Sequence, residues 1–355
     1  MKVLVVHPGP HFSVSDVYRG VVKGLEQNGC TVATLNLDDR LEFYSHAMIE
    51  RDGEYRHALE GNASFEMAAQ GVEVACYEFW PDVVVVISGW FIPPRVWAVL
   101  AKRPHHVVYW CTESPYEDDR QAQPSRYVDT VILNDPVNLD LFREHINPHT
   151  YYLPHSYDPD VHYPGPADPD LGCDFGFTGT GFPSRIEFLE QVEWRDTTVR
   201  LGGNWQMLSP ESPLAPFLVH DRDQCMPNTV TADLYRSATI GANLYRKEHS
   251  ENGDADGWAM GPREVELAAC GAFFLREPRG EGDVLFPMLP TFTTPDEFTD
   301  LYHYYLAHPD ERHSAAQAAT AAIEDRTFKH TTAELLRLVT SDRANGFTPT
   351  LLQPQ

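Results

Sequence analysis

A short segment in the second half of the chain combines charged side chains with small apolar ones. It reads MGPREVELAACGAFFLRE over residues 260–277, with Arg263 and Glu266 near its start. Pro262 is typical of the first position of a helix and Gly271 of its end, so a helix of about two turns is predicted. The amides at the start of this helix and the guanidinium fork of Arg263 both suit phosphate oxygens. Glu266 is placed to accept hydrogen bonds from paired hydroxyls such as those of a ribose.

A surface interpretation of the same residues stays open. Glu264 and Glu266 could favour the positive end of the helix dipole and pair with Arg263 on the protein surface. Arg246 and Lys247 follow a predicted strand, TIGANLY, and could likewise be a solvated basic pair. In the ligand-binding interpretation, these two cations lie at the carboxyl end of that strand and point into the same cleft.

Strand and helix signals alternate through both halves of the chain. One parallel sheet is predicted from KVLVV, TVATLNL, PDVVVVIS, HHVVYWCTE and TVILND, and a second from CDFGFTG, TVRLGG, TIGANLY and AFFLRE. A proline-rich connector separates them at residues 153–172. We therefore predict an α/β fold with two Rossmann-like domains facing each other across a ligand-binding cleft. The predicted N-terminal domain covers residues 1–160, the C-terminal domain 161–340 and a tail 341–355.

Composition limits the classes of partner and compartment. The 355 residues carry a formal net charge of -25, which opposes binding to a polyanion, so a DNA acceptor is not expected. The six cysteines are scattered, which favours reduced thiols in a cytoplasmic protein over disulfides or a zinc site. Prolines and Arg95 interrupt the apolar run VVVVISGWFIPPRVWAVL, so no membrane span is expected.

Several blocks of the sequence, in order, resemble one enzyme family. The C-terminal domain of GT-B glycosyltransferases, in the family-4-like group that includes the CgeB proteins, is similar to GPREVELAACGAFFLRE, DVLFP, TPDEFTDLYHYYLAHPDER and RTFKHTTAELL. The resemblance extends to about residues 105–340 through CDFGFTGTGFPSRIEFLEQV, LGGNW, ADLYRSATIGANLYR, VILNDPVNLDLF and YLPHSYDP. The first hundred residues or so resemble the family only in their strand–helix rhythm.

The resemblance implies a glycosyltransferase that moves a sugar from a nucleotide diphosphate, with a UDP-sugar favoured, to a hydroxyl group. The acceptor would be a protein, a glycan or a small molecule, chosen by the N-terminal domain. Retention of configuration is implied, without a metal ion or a further cofactor. The same architecture leaves two alternatives, a nucleotide-sugar epimerase and a protein that binds nucleotide sugar or glycan without turnover.

The resemblance also assigns roles within the predicted donor site. Glu266 matches the glutamate that binds the donor ribose, and Arg263 matches a basic position three residues earlier. A set of small and cationic residues is expected around the diphosphate: Gly179, Thr180, Gly181, Arg185, Arg246 and Lys247. An earlier glutamate that is common in the family is replaced here by Trp258. Acidic substitutes for it could come from Glu251, Asp254 or Asp256.

Two residues of the predicted N-terminal domain are candidates for chemistry near the reacting centre. Glu113 follows a strand in WCTESP, at the expected rim of the cleft, where a carboxyl group could act as an acid or a base. His11, in HPGPHFS after the first strand, is a candidate acid/base or acceptor-positioning group, although histidine is also common in turns.

Overall fold

A computed structural model describes most of the chain, namely residues 1–10, 12–102, 104–248 and 256–344. The chain divides into two compact units. The first unit contains Met1–Leu153 and the described residues from Phe328 onward, and the second contains the described residues between 154 and 327. Each unit has hydrophobic clusters of its own, so each is described separately.

The first unit alternates strands and helices along most of its length. Its elements in chain order are β1 (Lys2–Val6), α1 (Phe12–Gln27), β2 (Thr31–Leu35), α2 (Leu37–Ser45), β3 (Met48–Arg51), β4 (Glu54–His57), α3 (Gly61–Phe79), β5 (Val83–Ile87), α4 (Pro94–Leu100), β6 (His106–Trp110), α5 (Asp118–Ser125), β7 (Thr130–Leu133), α6 (Leu139–His145) and β8 (Thr150–Tyr152). Six strands form a parallel sheet in the order β2-β1-β5-β6-β7-β8. Central strands are apolar on both faces: all five residues of β5, VVVVI, are buried.

A hairpin of β3 and β4 departs from this alternation, and the sequence analysis did not predict it. All eight residues of the two strands are exposed. Asp52 and Gly53 turn the chain with φ values of 58° and 80°, the left-handed backbone that two-residue hairpin turns require. An Asp-Gly pair is a hairpin signal, but the flanking residues lack the apolar alternation of a half-buried strand.

The second unit repeats the strand–helix alternation. Its elements are β9 (Cys173–Thr178), α7 (Pro183–Glu190), β10 (Val199–Gly202), a short 3-10 helix (Ala215–Phe217), α8 (Asn228–Ser237), β11 (Ala238–Asn243), α9 (Pro262–Ala269), β12 (Phe274–Arg276), α10 (Gly280–Leu285), α11 (Pro295–Leu306) and α12 (Pro309–Ala321). Its four strands are parallel in the order β10-β9-β11-β12. Phe175 of β9 packs in an aromatic cluster with Trp194, Phe298 and Tyr302, which anchors one face of this sheet.

The last helix, α13 (Phe328–Ala344), belongs to the first unit, whereas the predicted C-terminal domain of residues 161–340 includes most of it. Its first side chain, Phe328, packs against α1 at Gly20, where a Cβ atom would lie 2.2 Å from the phenyl ring. Close helix packing at a glycine therefore holds the start of α13 on the first unit.

A buried carboxylate holds the other end of α13. Asp342 is 1% exposed and accepts hydrogen bonds from the hydroxyls of Thr130 (2.6 Å) and Tyr151 (2.7 Å). The Nδ1 atom of His149 also lies within hydrogen-bond distance of the Asp342 carboxylate, at 2.8 Å. Since a buried carboxylate is stable only with such donors, this network fixes the helix on the strands β7 and β8.

Candidate functional site

Helix α9 carries the charged segment that opens the predicted donor site, and Glu264 fixes its start. The carboxylate of Glu264 is fully buried and accepts hydrogen bonds from the Gly261 amide (3.0 Å) and the Tyr245 hydroxyl. Burial raises the pKa of Glu264 to about 7, although these two hydrogen bonds act to lower it. Glu264 is therefore a helix cap in the protein interior, and its proposed pairing with Arg263 on the surface is wrong.

Arg263 joins the start of α9 to the carboxyl ends of two strands. Its Nε donates to the carbonyl oxygen of Thr178 at the end of β9 (2.6 Å), and its Nη1 donates to Oδ1 of Asn243 at the end of β11 (2.8 Å). The guanidinium also lies 4.6 Å from the ring centroid of Phe177, a cation–π contact. A positive charge is thus held at the edge of the sheet where α/β folds bind ligands.

The loop after β9 needs glycine for the packing of protein side chains. A Cβ atom on Gly179 would lie 2.1 Å from Nη2 of Arg263, and one on Gly181 would lie 2.3 Å from the Trp205 ring. The amides of Gly179 and Gly181 already donate to backbone carbonyls, at 3.0 Å and 2.7 Å. Within the described part of the chain, the Thr180 amide between them makes no hydrogen bond, so it is the loop amide that a ligand can use.

Arg185, in the first turn of α7, contacts the same loop. It is 8% exposed, and it donates from Nε to the Leu244 carbonyl (3.0 Å) and from Nη1 to the Thr180 carbonyl (2.9 Å). These two hydrogen bonds use two of the five N–H donors of the guanidinium, so the contact with a bound anion stays a prediction for the other donors. In this structure its role is to hold the loop against the end of β11.

The two cations after β11 have different surroundings. The guanidinium of Arg246 lies 5.2 Å from the ring centroid of Phe182, the residue that precedes α7. Lys247 forms an ion pair with the buried Glu277 at 3.1 Å, and the other carboxylate oxygen of Glu277 accepts from the Tyr245 amide (2.6 Å). Arg246 is therefore beside the start of α7, whereas Lys247 is engaged by a carboxylate.

A carboxylate that the sequence analysis did not single out occupies the start of α7. Glu248 accepts hydrogen bonds from the amide (2.9 Å) and the hydroxyl (3.1 Å) of Ser184. Burial acts to raise the pKa of Glu248, but these hydrogen bonds and one from the Lys247 amide outweigh it, so the pKa is lowered. An ionised group thus already sits where a helix favours an anion.

Glu266 lies on a different face of α9 from the capping Glu264. Its side chain is 19% exposed, and Asn228 of α8 hydrogen-bonds to its carboxylate. Burial raises the pKa of Glu266 to about 7, and the charge of Arg263 and the Asn228 hydrogen bond oppose this shift. The Nε2 atom of His162 is 4.0 Å from its Oε1 atom. His162 and Asn228 were missed because only tertiary packing brings them to Glu266.

Trp258 stands at the position where the resemblance described above implies a glutamate. Its indole is 42% exposed and packs against Gly280, where a Cβ atom would lie 2.3 Å from the ring. Of the proposed acidic substitutes, Asp256 is exposed. The other two, Glu251 and Asp254, lie outside the described residues.

The first unit holds the remaining candidates. The amide of Glu113, after β6, donates to Oε1 of Gln121 (3.2 Å), which is itself 0% exposed. Asp118 continues this network, because it accepts from Gln121 (2.9 Å) and from the Ser114 hydroxyl (2.6 Å). The backbone of Glu113 is therefore held rigidly, and the second candidate, His11, lies outside the described residues. Among the described residues, no group of three or more His, Cys, Asp or Glu side chains is arranged to hold a metal ion.

Comparison with known proteins agrees with this architecture. Residues 185–337 match the protein family described as "Glycosyl transferase-like". Spore protein CgeB of Bacillus subtilis (strain 168) is 22% identical over 246 residues, which are 68% of this chain and 77% of that protein. Sucrose-phosphate synthase from Thermosynechococcus elongatus superposes with a TM-score of 0.65 and 12% identity, over 97% of this chain and 100% of that one. An alpha-glucosyltransferase in complex with UDP and a 13-mer DNA has the same TM-score of 0.65, with 11% identity over 96% and 99% of the chains.

Two parallel-sheet units and these structural similarities define the GT-B fold, which confirms the predicted fold class. The matched domain makes the chain a glycosyltransferase. In sequence the chain is similar to CgeB, the group that its ordered sequence blocks resemble. Over the part of the chain that is described, no helix has both the length and the apolar character needed to cross a membrane.

Proposed function

We propose that the second unit binds a nucleotide diphosphate sugar, with UDP favoured, and that the chain transfers the sugar to a hydroxyl group. One observation carries the proposal: Glu266 is a partly exposed carboxylate held one helical turn after Arg263, inside the region that matches the glycosyltransferase family. A carboxylate in this position suits a ribose, because its two oxygens can each accept a hydrogen bond from one of two adjacent hydroxyls.

The electrostatics of Glu266 support a role in binding hydroxyls. Because burial raises the pKa of Glu266 to about 7, its carboxyl group ionises near neutral pH. Hydroxyl donors stabilise the ionised form, so ribose binding and proton release from Glu266 are coupled. Asn228 hydrogen-bonds to the carboxylate from the protein side and the charge of Arg263 favours its ionised form, which leaves the exposed portion of Glu266 for the ligand.

The start of α7 is the proposed position of the diphosphate. Glu248 already occupies the Ser184 amide and hydroxyl, which shows that these donors can hold an anion. In our proposal the donor diphosphate replaces Glu248 at Ser184 and also accepts from the Thr180 amide. Arg246, 5.2 Å from the Phe182 ring, supplies a positive charge beside this position.

The proposed reaction breaks the bond between the sugar C1 atom and the diphosphate oxygen and forms a bond from C1 to the acceptor oxygen. Departure and attack occur on the same face of the sugar, so configuration is retained, and the acceptor hydroxyl proton passes to the departing diphosphate. Arg246 and the amides of the site stabilise the negative charge that builds on the diphosphate. Since these groups are fixed before the reaction, we propose that no metal ion is needed.

The proposal is tested by titrating the full chain with UDP and by incubating it with a panel of UDP-sugars. We expect Glu266→Gln to weaken UDP binding about tenfold or more, the loss of roughly one charge-assisted hydrogen bond. The control is Glu187→Gln, an exposed glutamate on α7, which should bind like the wild type. Wild-type UDP affinity in Glu266→Gln would contradict the assignment.

The products distinguish the proposed reaction from the two alternatives. Release of UDP with a glycosylated acceptor indicates transfer, and an isomeric UDP-sugar indicates an epimerase. Binding without any product indicates a binding protein. Turnover should also be unchanged by EDTA, and its loss on chelation with recovery on adding Mg²⁺ would contradict the metal-independent mechanism.

A further inference from the structure

The first unit contains a cavity that no part of the proposed donor site uses. Its volume is about 850 Å³, and its walls come from α2, the end of β4, α3 and the loops after β1 and β5. The two loops contribute Pro10 and Phe91. Strands β1 and β5 are neighbours in the sheet, although β2 follows β1 along the chain and pairs with its other edge. This is a topological switch point, the place where open α/β sheets bind ligands beyond their carboxyl ends.

The apolar wall of the cavity is built for a small organic molecule. Phe65 of α3 and Phe91 lie with ring centroids 5.6 Å apart, and Leu41 and Leu59 extend this surface. Gly9, with a φ of 98°, makes room for Phe91, because a Cβ atom there would lie 2.5 Å from the phenyl ring. The cavity volume is within the range of sites that bind drug-sized ligands, roughly 300 to 1,000 Å³.

The charged wall of the cavity is negative. Asp38, Glu42 and Glu60 line it, and the lining residues include no lysine or arginine. Across the described residues, none of these three carboxylates forms an ion pair with a basic side chain. Uncompensated carboxylates attract a cation and repel an anion, so the cavity selects against phosphate, nucleic acid and acidic glycans.

Two histidines add acceptors for hydroxyl groups. The Nδ1 atom of His46 is 2.9 Å from the Glu42 carbonyl, and that of His57 is 3.0 Å from the Ser45 carbonyl. A carbonyl oxygen can only accept, so Nδ1 of each ring is the protonated nitrogen. In the neutral ring Nε2 is then an acceptor, suited to a hydroxyl of the ligand.

We propose that this α2–α3 cavity binds a hydroxylated aromatic amine or a molecule of the same chemistry, with a flat apolar body, a cationic group and a free hydroxyl. Given the transfer reaction proposed above, on which this inference rests, that molecule is the sugar acceptor. The apolar wall takes the ring, the three carboxylates take the ammonium group and a histidine takes the hydroxyl.

The test uses three probes that share the 5-hydroxyindole ring and differ in charge: 5-hydroxytryptamine (cation), 5-hydroxyindole (neutral) and 5-hydroxyindole-3-acetate (anion). Binding to the full chain is measured by calorimetry at low salt. We expect the cation to bind about tenfold more tightly than the anion, with the neutral probe between them. Equal affinities, or preference for the anion, would overturn the inference.

Variants locate the binding. Glu42→Gln with Glu60→Gln should reduce the preference for the cation to about threefold or less, because two charges are removed without changing the shape. Glu50→Gln, on the exposed β3 strand and outside the lining, is the matched control. Phe65→Ala, whose side chain is 39% exposed, should weaken all three probes. A cation preference that survives the double substitution would place the binding elsewhere.

Failure of this inference is distinguishable from failure of the donor-site proposal. UDP titration of the same variants reports on the second unit, so UDP binding without probe selectivity overturns only the cavity. With a UDP-sugar that the protein turns over, mass spectrometry should detect glycosylated 5-hydroxytryptamine. Selective binding without that product would overturn the acceptor role and leave donor binding intact.

Discussion

The substitution Gly179→Ala tests whether Arg263 is held by the loop after β9. A methyl group at this position would lie 2.1 Å from Nη2 of Arg263, far inside contact distance. The guanidinium must move, and its hydrogen bonds to the Thr178 carbonyl (2.6 Å) and to Asn243 (2.8 Å) are lost. We therefore expect the substitution to act through Arg263.

The expected cost follows from those two hydrogen bonds. A hydrogen bond to a charged group contributes roughly 1.5–3 kcal/mol, so their complete loss would cost about 3–6 kcal/mol. Arg263 is half-buried, and water can replace part of what is lost. Extra methyl groups in packed sites typically cost about 1–3 kcal/mol. We expect the unfolding free energy of the second unit to fall by about 2–3 kcal/mol.

The assay is urea unfolding followed by tryptophan fluorescence, in a cycle of Gly179→Ala, Arg263→Ala and the double variant. In the Arg263→Ala background there is no guanidinium to displace, so Gly179→Ala should cost less than about 0.5 kcal/mol. Gly172→Ala is the control, because a Cβ atom there meets only the Pro169 carbonyl, at 3.4 Å. An equal cost of Gly179→Ala in both backgrounds would refute the reasoning.

Three further predictions concern carboxylates. The folded-state pKa of Glu266 is raised from 4.5 to about 7, so its contribution to the unfolding free energy is lost as pH rises from about 4.5 through 7. Glu266→Gln should therefore be more stable than the wild type at pH 8. Equal profiles of unfolding free energy against pH for the two proteins would contradict this. Glu248→Ala should strengthen UDP binding about fivefold in calorimetry, because it removes an anion from the proposed diphosphate position, and weaker binding would contradict that position. Asp342→Ala should lower the unfolding free energy of the first unit by about 3–5 kcal/mol in urea, since it strips the acceptor from buried donors. The exposed Ser341→Ala is its control, and a loss of under about 0.5 kcal/mol would contradict the anchoring role.

Local signals predicted the elements that a short stretch of chain determines by itself. Pro262 and Gly271 bracketed a helix, and α9 covers Pro262–Ala269. The valine run of β5 predicted a buried strand, and all of its residues are buried. In both cases covalent geometry or apolar content acts within a few residues, so distant partners are not needed to determine the structure.

Residues that depend on distant contacts were predicted less well. From the sequence, Arg185 is expected to offer its charge to an anion at the start of a helix. In the structure its side chain is buried and donates to two backbone carbonyls outside that helix. No sequence spacing identifies Glu248 and Asn228 as site residues, because they contact Ser184 and Glu266 only after the unit has folded. A type of side chain can be read from sequence, whereas its direction is set by packing.

The hairpin of β3 and β4 shows a different limit. Its strands are exposed on both faces, so apolar alternation, the main signal for a strand, is missing. Only the Asp52–Gly53 turn marks it. The cavity proposed to hold the acceptor is lined partly by the end of this hairpin, so the part of the fold hardest to predict is also the part that bears on specificity.

The chain enters the second unit after Leu153 and leaves it before Phe328, and this arrangement has a consequence for how such enzymes can diversify. The Tyr157 amide donates to the Arg326 carbonyl at 3.0 Å, and Tyr157 pairs with Thr327, so the segment enters and leaves at adjacent points. A segment with neighbouring ends behaves as a cassette, which recombination can exchange through two closely spaced joints. If the donor binds the second unit and the acceptor the first, as proposed above, sugar choice and acceptor choice can then be inherited as separate modules.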